Sequence, residues 1–190
     1  MVNLYLGPTY SLDAVIGTAT SYTEVSSLLS MRKIVAIYQG RSEAGPRALG
    51  NRSILFDPTV KDGKDIVNAI KKRETFRPFA GVVMKEYASQ WFDVEESPHM
   101  TYAVKVKTNT LPAITHVDGT CRVQTVTKQQ NEHLYNLLDA FNSKTGIPIL
   151  LNTSFNLAGE PLVETPEEAI NIHHRSAIDY LYFPEVQRLL

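Results

Sequence analysis

Apolar and polar positions follow two patterns along this chain, one typical of strands and one typical of helices. Short apolar or alternating runs predict strands at 34–38, 53–56, 82–84, 101–107, the end of 112–126, 147–151 and 178–183. Apolar residues three or four positions apart, with capping residues before them, predict helices at 11–19, 23–31, 64–74, 128–143 and 165–175. Strands mixed with helices in this way indicate an α/β domain with a mixed sheet. We expect residues 11–190 to form that domain and residues 1–10, rich in turn chemistry, to be a linker or domain edge.

Several predicted helix ends carry capping signals. Thr165 and Glu168 fit a capping box, and Gly146 directly follows the helix predicted at 128–143. Lys71 and Lys72 fall near the C-terminal end of another predicted helix, where the helix dipole favours cations. We therefore interpret these two lysines first as structural.

The overall composition is that of an ordinary globular protein. The chain has 190 residues, 43% of them hydrophobic, and a formal net charge of −1. This near-zero charge argues against a protein that coats nucleic acid through its phosphates. No apolar run approaches the roughly 20 residues that a membrane span needs, and a single cysteine, Cys121, suits a reducing compartment. We expect a cytoplasmic protein.

Positive charge is concentrated in one window of the sequence. Residues 41–77 contain nine of the 19 lysines and arginines but only five acidic residues, a local excess of +4. Such an excess within a chain of net charge −1 predicts a basic concavity rather than a basic protein. A small polyanion is the expected ligand.

A polar loop lies at the start of this window, between the strands predicted at 34–38 and 53–56. Its candidate binding residues are Gly40, Arg41, Gly45, Arg47, Gly50, Asn51 and Arg52. Glycines allow backbone N–H groups to converge on an anion, and guanidinium groups bind phosphate or carboxylate oxygens in pairs. The alternative is a long surface loop whose arginines only form salt bridges.

A second polar segment directly follows the strand predicted at 147–151. Its candidate binding residues are Asn152, Ser154 and Asn156. Ser154 and Asn156 are two positions apart, so that in an extended chain they point the same way. Polar residues at the end of a strand in an open α/β sheet lie where such folds bind ligands. A turn with purely local hydrogen bonds is the alternative.

His116 and Asp118 form a third candidate pair. They could ligate a metal or act as a histidine oriented by a carboxylate. The other histidines add no recognised metal spacing, so we expect no metal site built from this chain. Cys121 lacks the surroundings of a cysteine nucleophile and is expected to be a small buried hydrophobe.

Taken together, these motifs resemble one known family. The segments that carry the resemblance occur in one order: 40–52, 72–74, 76–80, 97–100, 112–125, 151–156 and 159–161. They resemble the C-terminal, YrdC-like domain of NodU/CmcH-type O-carbamoyltransferases over about residues 6–180. Ser42, Gly81 and Cys121 depart from the family's usual residues, although none of the three removes a charge.

The resemblance implies a YrdC-like mixed, twisted sheet with flanking helices around a basic concave cavity. It also implies that this domain condenses ATP with carbamoyl phosphate, releases pyrophosphate and gives carbamoyl-adenylate. In such enzymes an N-terminal domain with a metal, such as iron, then passes the carbamoyl group to the hydroxyl of a small-molecule acceptor. That domain is not in this sequence and would act in cis or in trans.

Within this hypothesis each candidate residue has an expected role. We expect Arg41, Arg47, Arg52 and the loop glycines to hold phosphate groups. Lys72, Arg73 and Arg77 are the expected catalytic residues, which stabilise charge as pyrophosphate leaves while Mg²⁺ bridges the nucleotide. Ser154 and Asn156 are expected to orient the nucleotide or the carbamoyl end, and His116 and Asp118 to line the same cavity.

Two other classes of function stay open. The domain could be a nucleic-acid-binding module, since YrdC-like folds offer a basic cavity. It could also be a docking or regulatory fragment that is inactive alone.

Overall fold

The computed structural model describes residues 3–190. Within them, nine strands form one sheet: β1 Thr18–Ala19, β2 Val35–Tyr38, β3 Arg52–Phe56, β4 Ala80–Met84, β5 Ala103–Lys105, β6 Thr120–Val126, β7 Ile149–Ser154, β8 Tyr180–Phe183 and β9 Arg188–Leu189. The helices are α1 Tyr22–Ser30, α2 Gly63–Ile70, α3 Ala88–Trp91, α4 Glu132–Thr145 and α5 Pro166–Arg175, with a 3₁₀ turn at Lys85–Tyr87. The predicted mixed α/β fold is confirmed.

The sheet is mixed because its strands run both parallel and antiparallel. The strand order is β1-β9-β8-β2-β3-β7-β4-β6-β5. β2 pairs with β8 and β4 pairs with β6 in parallel, whereas the other neighbours are antiparallel. Strand β7 therefore lies in the middle of the sheet, and the segment that follows it emerges between β3 and β4.

Both faces of the sheet are covered, which explains why the central strands are apolar at nearly every position. One core contains Ile54 and Val83 and packs against α2, α3 and α5. The other contains Leu55 and Val82 and packs against α1 and α4. Consecutive residues of a strand point to opposite faces, so Ile54 and Leu55 contribute to different cores.

The helix predicted at 11–19 is wrong. Thr18 and Ala19 form β1, which pairs with Leu189 and Arg188 of β9 at the edge of the sheet. A side chain at Gly17 would press against the backbone carbonyl of Leu189. Long-range pairing has therefore overridden the local helical signal in this segment.

The predicted helix at 64–74 ends earlier than expected. Its last helical residue is Ile70, and Lys72 has a φ of 52°, in the left-handed region. Residues 71–79 consequently form a loop rather than a last helical turn, and this loop carries the basic residues of the site.

Other predicted helix ends are confirmed. Thr165 and Glu168 form both hydrogen bonds of the capping box, and Gly146 ends α4 with a φ of 75°. The predicted strand at 101–107 shortens to β5, outside which Tyr102 is 64% exposed. No helix among residues 3–190 is long and apolar enough to cross a membrane.

Candidate functional site

The glycine- and arginine-rich loop already surrounds an acidic side chain of its own, that of Glu43. Its Oε1 accepts hydrogen bonds from the backbone N–H groups of Leu49 (2.7 Å), Asn51 (2.7 Å) and Arg52 (3.3 Å). Burial raises the pKa of Glu43, while these backbone hydrogen bonds oppose that rise. The predicted convergence of N–H groups is therefore present, but on a side chain of the loop itself.

Arg52 is a structural residue rather than a free phosphate ligand. Its side chain is 0% exposed and its guanidinium carbon lies 3.6 Å from the ring centroid of Tyr38. The two terminal nitrogens donate to four backbone carbonyls, those of Gln39, Gly40, Asn51 and Glu164. The remaining donor, Nε, has no partner among residues 3–190 but is buried. The guanidinium is therefore not open to a phosphate, and we remove Arg52 from the candidate binding set.

The remaining loop residues, apart from Gly45 and Arg47, also make internal contacts. Arg41 Nε donates to the carbonyl of Gly7 at 2.7 Å, and the N–H of Gly40 donates to the carboxylate of Glu185. Asn51 Nδ2 donates to the carbonyl of Arg41, and Asn51 Oδ1 accepts from Asn131 Nδ2. Gly50 has a φ of 106°, and a side chain there would collide with Leu134. Gly45, with a φ of 100°, is exposed.

Two basic cavities adjoin each other at the end of β7. The first, which we call the lysine cavity, has a volume of about 490 Å³ and is lined by Lys71, Lys72, Arg73, Glu74, Arg77, Ser154 and residues 156–159. The second, the arginine cavity, has a volume of about 180 Å³ and includes Arg47, Arg73, His116, Arg122, Asn152, Thr153 and Ser154 in its lining. Arg73 and Ser154 line both cavities and so mark the junction between them.

Lys71 is the central residue of the lysine cavity. It is only 3% exposed, and its Nζ donates to the backbone and hydroxyl oxygens of Ser154 and, at 3.1 and 2.8 Å, to the backbone carbonyl and Oδ1 of Asn156. The predicted Ser-x-Asn pair is thus held together by a buried ammonium group. Burial, reinforced by the positive charge of Arg73, lowers the pKa of Lys71 to about 7.

The sequence reasoning missed Lys71, which it explained by the helix dipole. A usable signal was present, because Lys71 follows Val67 by four positions and so continues the inward-facing stripe of α2. A lysine on the buried stripe of a helix needs hydrogen-bond partners, and those partners are Ser154 and Asn156. Lys72, which we predicted as catalytic, is exposed at the rim of the cavity.

Asn68 fixes the shape of the loop that carries Arg73 and Arg77. Its side chain is fully buried; its Oδ1 accepts from Arg73 Nε at 2.6 Å, and its Nδ2 donates to the carbonyls of Thr75 and Arg77. The guanidinium of Arg73 also lies 4.4 Å from the ring centroid of Phe79. Arg77 forms an exposed ion pair with Glu74 at 3.1 Å.

The arginine cavity places Arg47 beside Arg122. Burial, together with the charge of Arg122, lowers the pKa of Arg47. Among residues 3–190 neither guanidinium forms an ion pair with a carboxylate. Two adjacent cations without acidic partners form a site that favours an anion.

Sheet register explains how Arg122 enters the site. Ala80 on β4 is the pairing partner of both Asn152 on β7 and Arg122 on β6, so the three residues form one row across the sheet. The small side chain of Ala80 leaves a hollow between its two longer neighbours. Sequence analysis did not select Arg122, because the row depends on strand pairing that the sequence pattern does not specify.

His116 and Asp118 form no direct ion pair; the hydroxyl of Thr120 lies between them, 3.2 Å from His116 Nδ1 and 2.7 Å from Asp118 Oδ1. His116 lines the arginine cavity, and its Nε2 lies 3.1 Å from the carbonyl of Phe79. Asp118 is exposed in a turn, where it accepts hydrogen bonds from the backbone and hydroxyl of Thr120. We therefore keep His116 as a candidate site residue and remove Asp118.

The described residues contain no group of three or more histidine, cysteine or acidic side chains placed to hold a metal ion. Cys121 is buried, as expected, and burial raises the pKa of its thiol to about 12. A thiol with this pKa is not a nucleophile at neutral pH.

The fold and the two cavities define a class of protein, an α/β domain that presents a two-part cationic site at the end of a central strand. Comparison with known sequences identifies the family. The sequence model of the carbamoyltransferase C-terminus matches residues 26–188, and the chain belongs to this family.

Named relatives agree with this assignment. The nodulation protein NolO of Bradyrhizobium diazoefficiens is 47% identical over 156 residues, which cover 78% of this chain and 28% of NolO. The 3'-hydroxymethylcephem-O-carbamoyltransferase of Amycolatopsis lactamdurans is 40% identical over 151 residues, which cover 78% of this chain and 29% of that protein. The chain thus spans less than a third of the length of either relative.

Solved structures share the fold. The T. kodakarensis HypF crystal structure matches 98% of this chain with a TM-score of 0.60, at 17% sequence identity and over 22% of that chain. Full-length HypF in a phosphate- and nucleotide-bound form matches 93% of this chain with a TM-score of 0.56, at 16% identity and over 25% of that chain. At these identities the likeness supports the fold alone.

Proposed function

We propose that this domain binds ATP and carbamoyl phosphate and forms carbamoyl-adenylate, which an N-terminal carbamoyltransferase domain then uses. The observation that carries the proposal is the pair of adjoining cationic cavities that share Arg73 and Ser154. Two polyanions that react with each other repel, and fixed cations on both sides of the junction reduce that repulsion.

Cavity size and charge suggest which substrate binds where. The lysine cavity is the larger, with four cationic side chains and the Ser-x-Asn pair, and suits the triphosphate of ATP. The arginine cavity is smaller and suits a compact acyl phosphate held by Arg47 and Arg122. The α-phosphorus of ATP would then lie near Arg73 and Ser154, where the two substrates can meet.

The proposed reaction requires two bond cleavages for its atoms to balance. Water first cleaves carbamoyl phosphate to carbamate and inorganic phosphate. A carbamate oxygen then attacks the α-phosphorus of ATP, and the bond to the β-phosphate breaks to release pyrophosphate. Arg73 stabilises the charge on the transferred group, whereas Lys71, Lys72 and Arg77 stabilise the departing pyrophosphate.

The residues present fit the phosphates of a nucleotide better than they fit a protein-bound cation. Glu74 is the single carboxylate in the described lining of the lysine cavity, and it already pairs with Arg77. Mg²⁺ would therefore be held by phosphate oxygens and water, as is usual for this ion, and would supply charge neutralisation.

The proposal also includes the transfer of the carbamoyl group to an acceptor. The names of the relatives include a carbamoyltransferase that acts on a cephem hydroxymethyl group, and we extend an O-carbamoyltransferase activity with a small-molecule acceptor to this protein. An N-terminal domain, with its own metal, would supply the transfer step in cis or in trans. A cytoplasmic location is part of the same proposal.

The direct test is carbamoyl-phosphate-dependent release of pyrophosphate from ATP by the chain. We expect release by the wild-type protein and a loss of at least about a hundredfold for Lys71→Met, since this substitution removes a charged group from the site. Arg41→Ala, which changes an exposed arginine outside both cavities, is the matched control and should retain activity. Salt-sensitive RNA binding that ATP does not displace, with no pyrophosphate release, would instead support a nucleic-acid-binding module.

A further inference from the structure

Asn152 carries a buried acceptor atom without a hydrogen-bond partner. The residue lines the arginine cavity and is 1% exposed, and its Oδ1 has no partner among residues 3–190. A buried carbonyl oxygen left unpaired costs free energy. This oxygen belongs to a residue that lines the cavity, and a ligand N–H group that reached it would supply the missing hydrogen bond.

A chain of hydrogen bonds fixes the orientation of this amide. Gln124 Nε2 donates to the backbone carbonyl of Leu49 at 2.8 Å, and a carbonyl can only accept. Gln124 Oε1 must therefore accept, and it does so from Asn152 Nδ2 at 2.9 Å. The same Nδ2 also donates to the carbonyl of Ala48 at 3.3 Å. Gln124 Oε1 and the Ala48 carbonyl both accept a hydrogen bond, so the nitrogen of the Asn152 amide must face them. Oδ1 is then the atom that has no partner.

The rest of the cavity defines what such a ligand must look like. Arg47 and Arg122 provide cationic donors for anionic oxygens, whereas Asn152 Oδ1 provides a neutral acceptor. A complementary ligand has a phosphate or carboxylate at one end and an N–H group near it. An acyl phosphate with a methyl group in place of the nitrogen matches the charges but leaves the oxygen unpaired.

We propose that Asn152 is the residue that selects the carbamoyl group, by accepting a hydrogen bond from its NH₂. This inference rests on the proposed function. It adds to that function the preference of the arginine cavity for one acyl phosphate over others. Sites built to bind an N–H or O–H group discriminate strongly against analogues that lack it, because the protein group is then left unpaired.

The test compares carbamoyl phosphate with acetyl phosphate, which has nearly the same shape and charge, by competition binding to the same protein preparation. The ratio of the two affinities does not depend on the fraction of folded protein, so a partly unstable variant still reports on selectivity. We expect the wild-type chain to prefer carbamoyl phosphate by about tenfold or more, as one unpaired buried acceptor predicts.

Two substitutions separate the acceptor role from packing. Asn152→Leu has no acceptor, and its preference should fall to within about twofold of equal binding, since both ligands then meet an apolar group. Asn152→Asp keeps an acceptor oxygen, loses the donor that Gln124 and Ala48 accept from, and adds a negative charge that repels both anions alike, so both affinities should fall while the preference remains. If Asn152→Leu does not fold, Gln124→Leu, which releases the amide from its fixed orientation, should also reduce the preference.

The outcomes distinguish this inference from the proposed function. Equal binding of the two acyl phosphates by the wild-type protein, or an unchanged preference in Asn152→Leu, would overturn the role of Asn152 while the acyl-phosphate site stands. If the protein bound neither acyl phosphate, both the role of Asn152 and the proposed function would be overturned.

Discussion

The ammonium nitrogen of Lys71 lies 2.8 Å from the side-chain oxygen of Asn156. This contact joins the loop after α2 to the segment after β7, two parts of the chain that are far apart in sequence. Ser154 and Asn156 also bond to each other at 2.8 Å. A buried lysine that has only neutral oxygens as partners keeps its full positive charge available to an incoming anion, provided that it is protonated.

The first prediction concerns the pH dependence of nucleotide binding. Because the pKa of Lys71 is lowered to about 7, Lys71 is largely neutral in the free protein above that pH. A bound polyanion favours the charged form, so binding should take up a proton. We expect the affinity for ATP to fall by up to about tenfold per pH unit above pH 7.5, where the phosphates are fully ionised. Calorimetry in buffers of different ionisation enthalpy measures this uptake.

The matched variant for this prediction is Lys71→Met. It should bind ATP more weakly and with no proton uptake in the same range. Without ligand, the unfolded chain binds more protons at Lys71 than the folded chain does between the lowered pKa of about 7 and the ordinary pKa of a lysine, 10.5. Stability should therefore rise with pH over that window, and this rise should be missing in Lys71→Met. A wild-type affinity that stays flat up to pH 9 would contradict the prediction.

Lys71 and Arg52 show to what extent the role of a basic residue could be predicted from the sequence. Both lie in the basic window of the sequence, yet Lys71 lines the lysine cavity whereas Arg52 is bonded to backbone carbonyls in the interior. The distinction depends on the face each side chain occupies. Arg52 shares its face of β3 with Ile54 and Phe56, which are core residues, and that alternation was an available sign of burial.

The residues that meet in the arginine cavity could not be predicted in the same way. Arg122 and Asn152 are brought together by the order β7-β4-β6 and by a register centred on Ala80. Apolar patterns predict that these strands exist but not which ones are neighbours. By contrast, the capping box of α5 involves residues close in sequence, and it was predicted correctly.

The second prediction compares two arginines of one loop. Arg47 lines the arginine cavity and lies beside Arg122, whereas Arg41 is exposed and donates to the carbonyl of Gly7. We expect Arg47→Ala to weaken carbamoyl phosphate binding by about tenfold or more, a larger effect than an exposed ion pair gives. Arg41→Ala should change the affinity by less than about twofold. Calorimetry on both variants gives the comparison, and equal effects would remove Arg47 from the site.

The third prediction concerns Asn68, which shapes the loop that carries Arg73. Asn68→Ala removes one acceptor and two donated hydrogen bonds in a buried position. It should cost about 2–4 kcal/mol of stability and raise the KM for ATP, because Arg73 loses its fixed orientation. The chemical denaturation midpoint and initial rates of pyrophosphate release measure the two effects.

Asn171 provides the control for Asn68. Its Oδ1 accepts from the Nε of Arg175 at 2.8 Å, the same type of bond, but on an exposed surface of α5. Asn171→Ala should change stability by less than about 0.5 kcal/mol and leave the KM for ATP unchanged. If Asn68→Ala lowered stability but left that KM unchanged, Asn68 would support the fold without positioning Arg73.

The fourth prediction concerns Glu43, the acidic side chain held inside the glycine- and arginine-rich loop. Glu43→Ala would leave three backbone N–H groups without their acceptor and should lower the free energy of unfolding by more than about 3 kcal/mol. Glu43→Gln keeps an acceptor oxygen and should cost less than about 1.5 kcal/mol.

Since burial raises the pKa of Glu43, the folded wild-type chain retains the carboxyl proton of Glu43 to higher pH than the unfolded chain does. Its stability should therefore fall as the pH rises above the ordinary pKa of a glutamate, and Glu43→Gln should lack that fall. Urea denaturation of the three proteins between pH 4 and pH 8 tests both points. Equal losses in the two variants would mean that the loop needs the charge of Glu43 and not only an oxygen in its place.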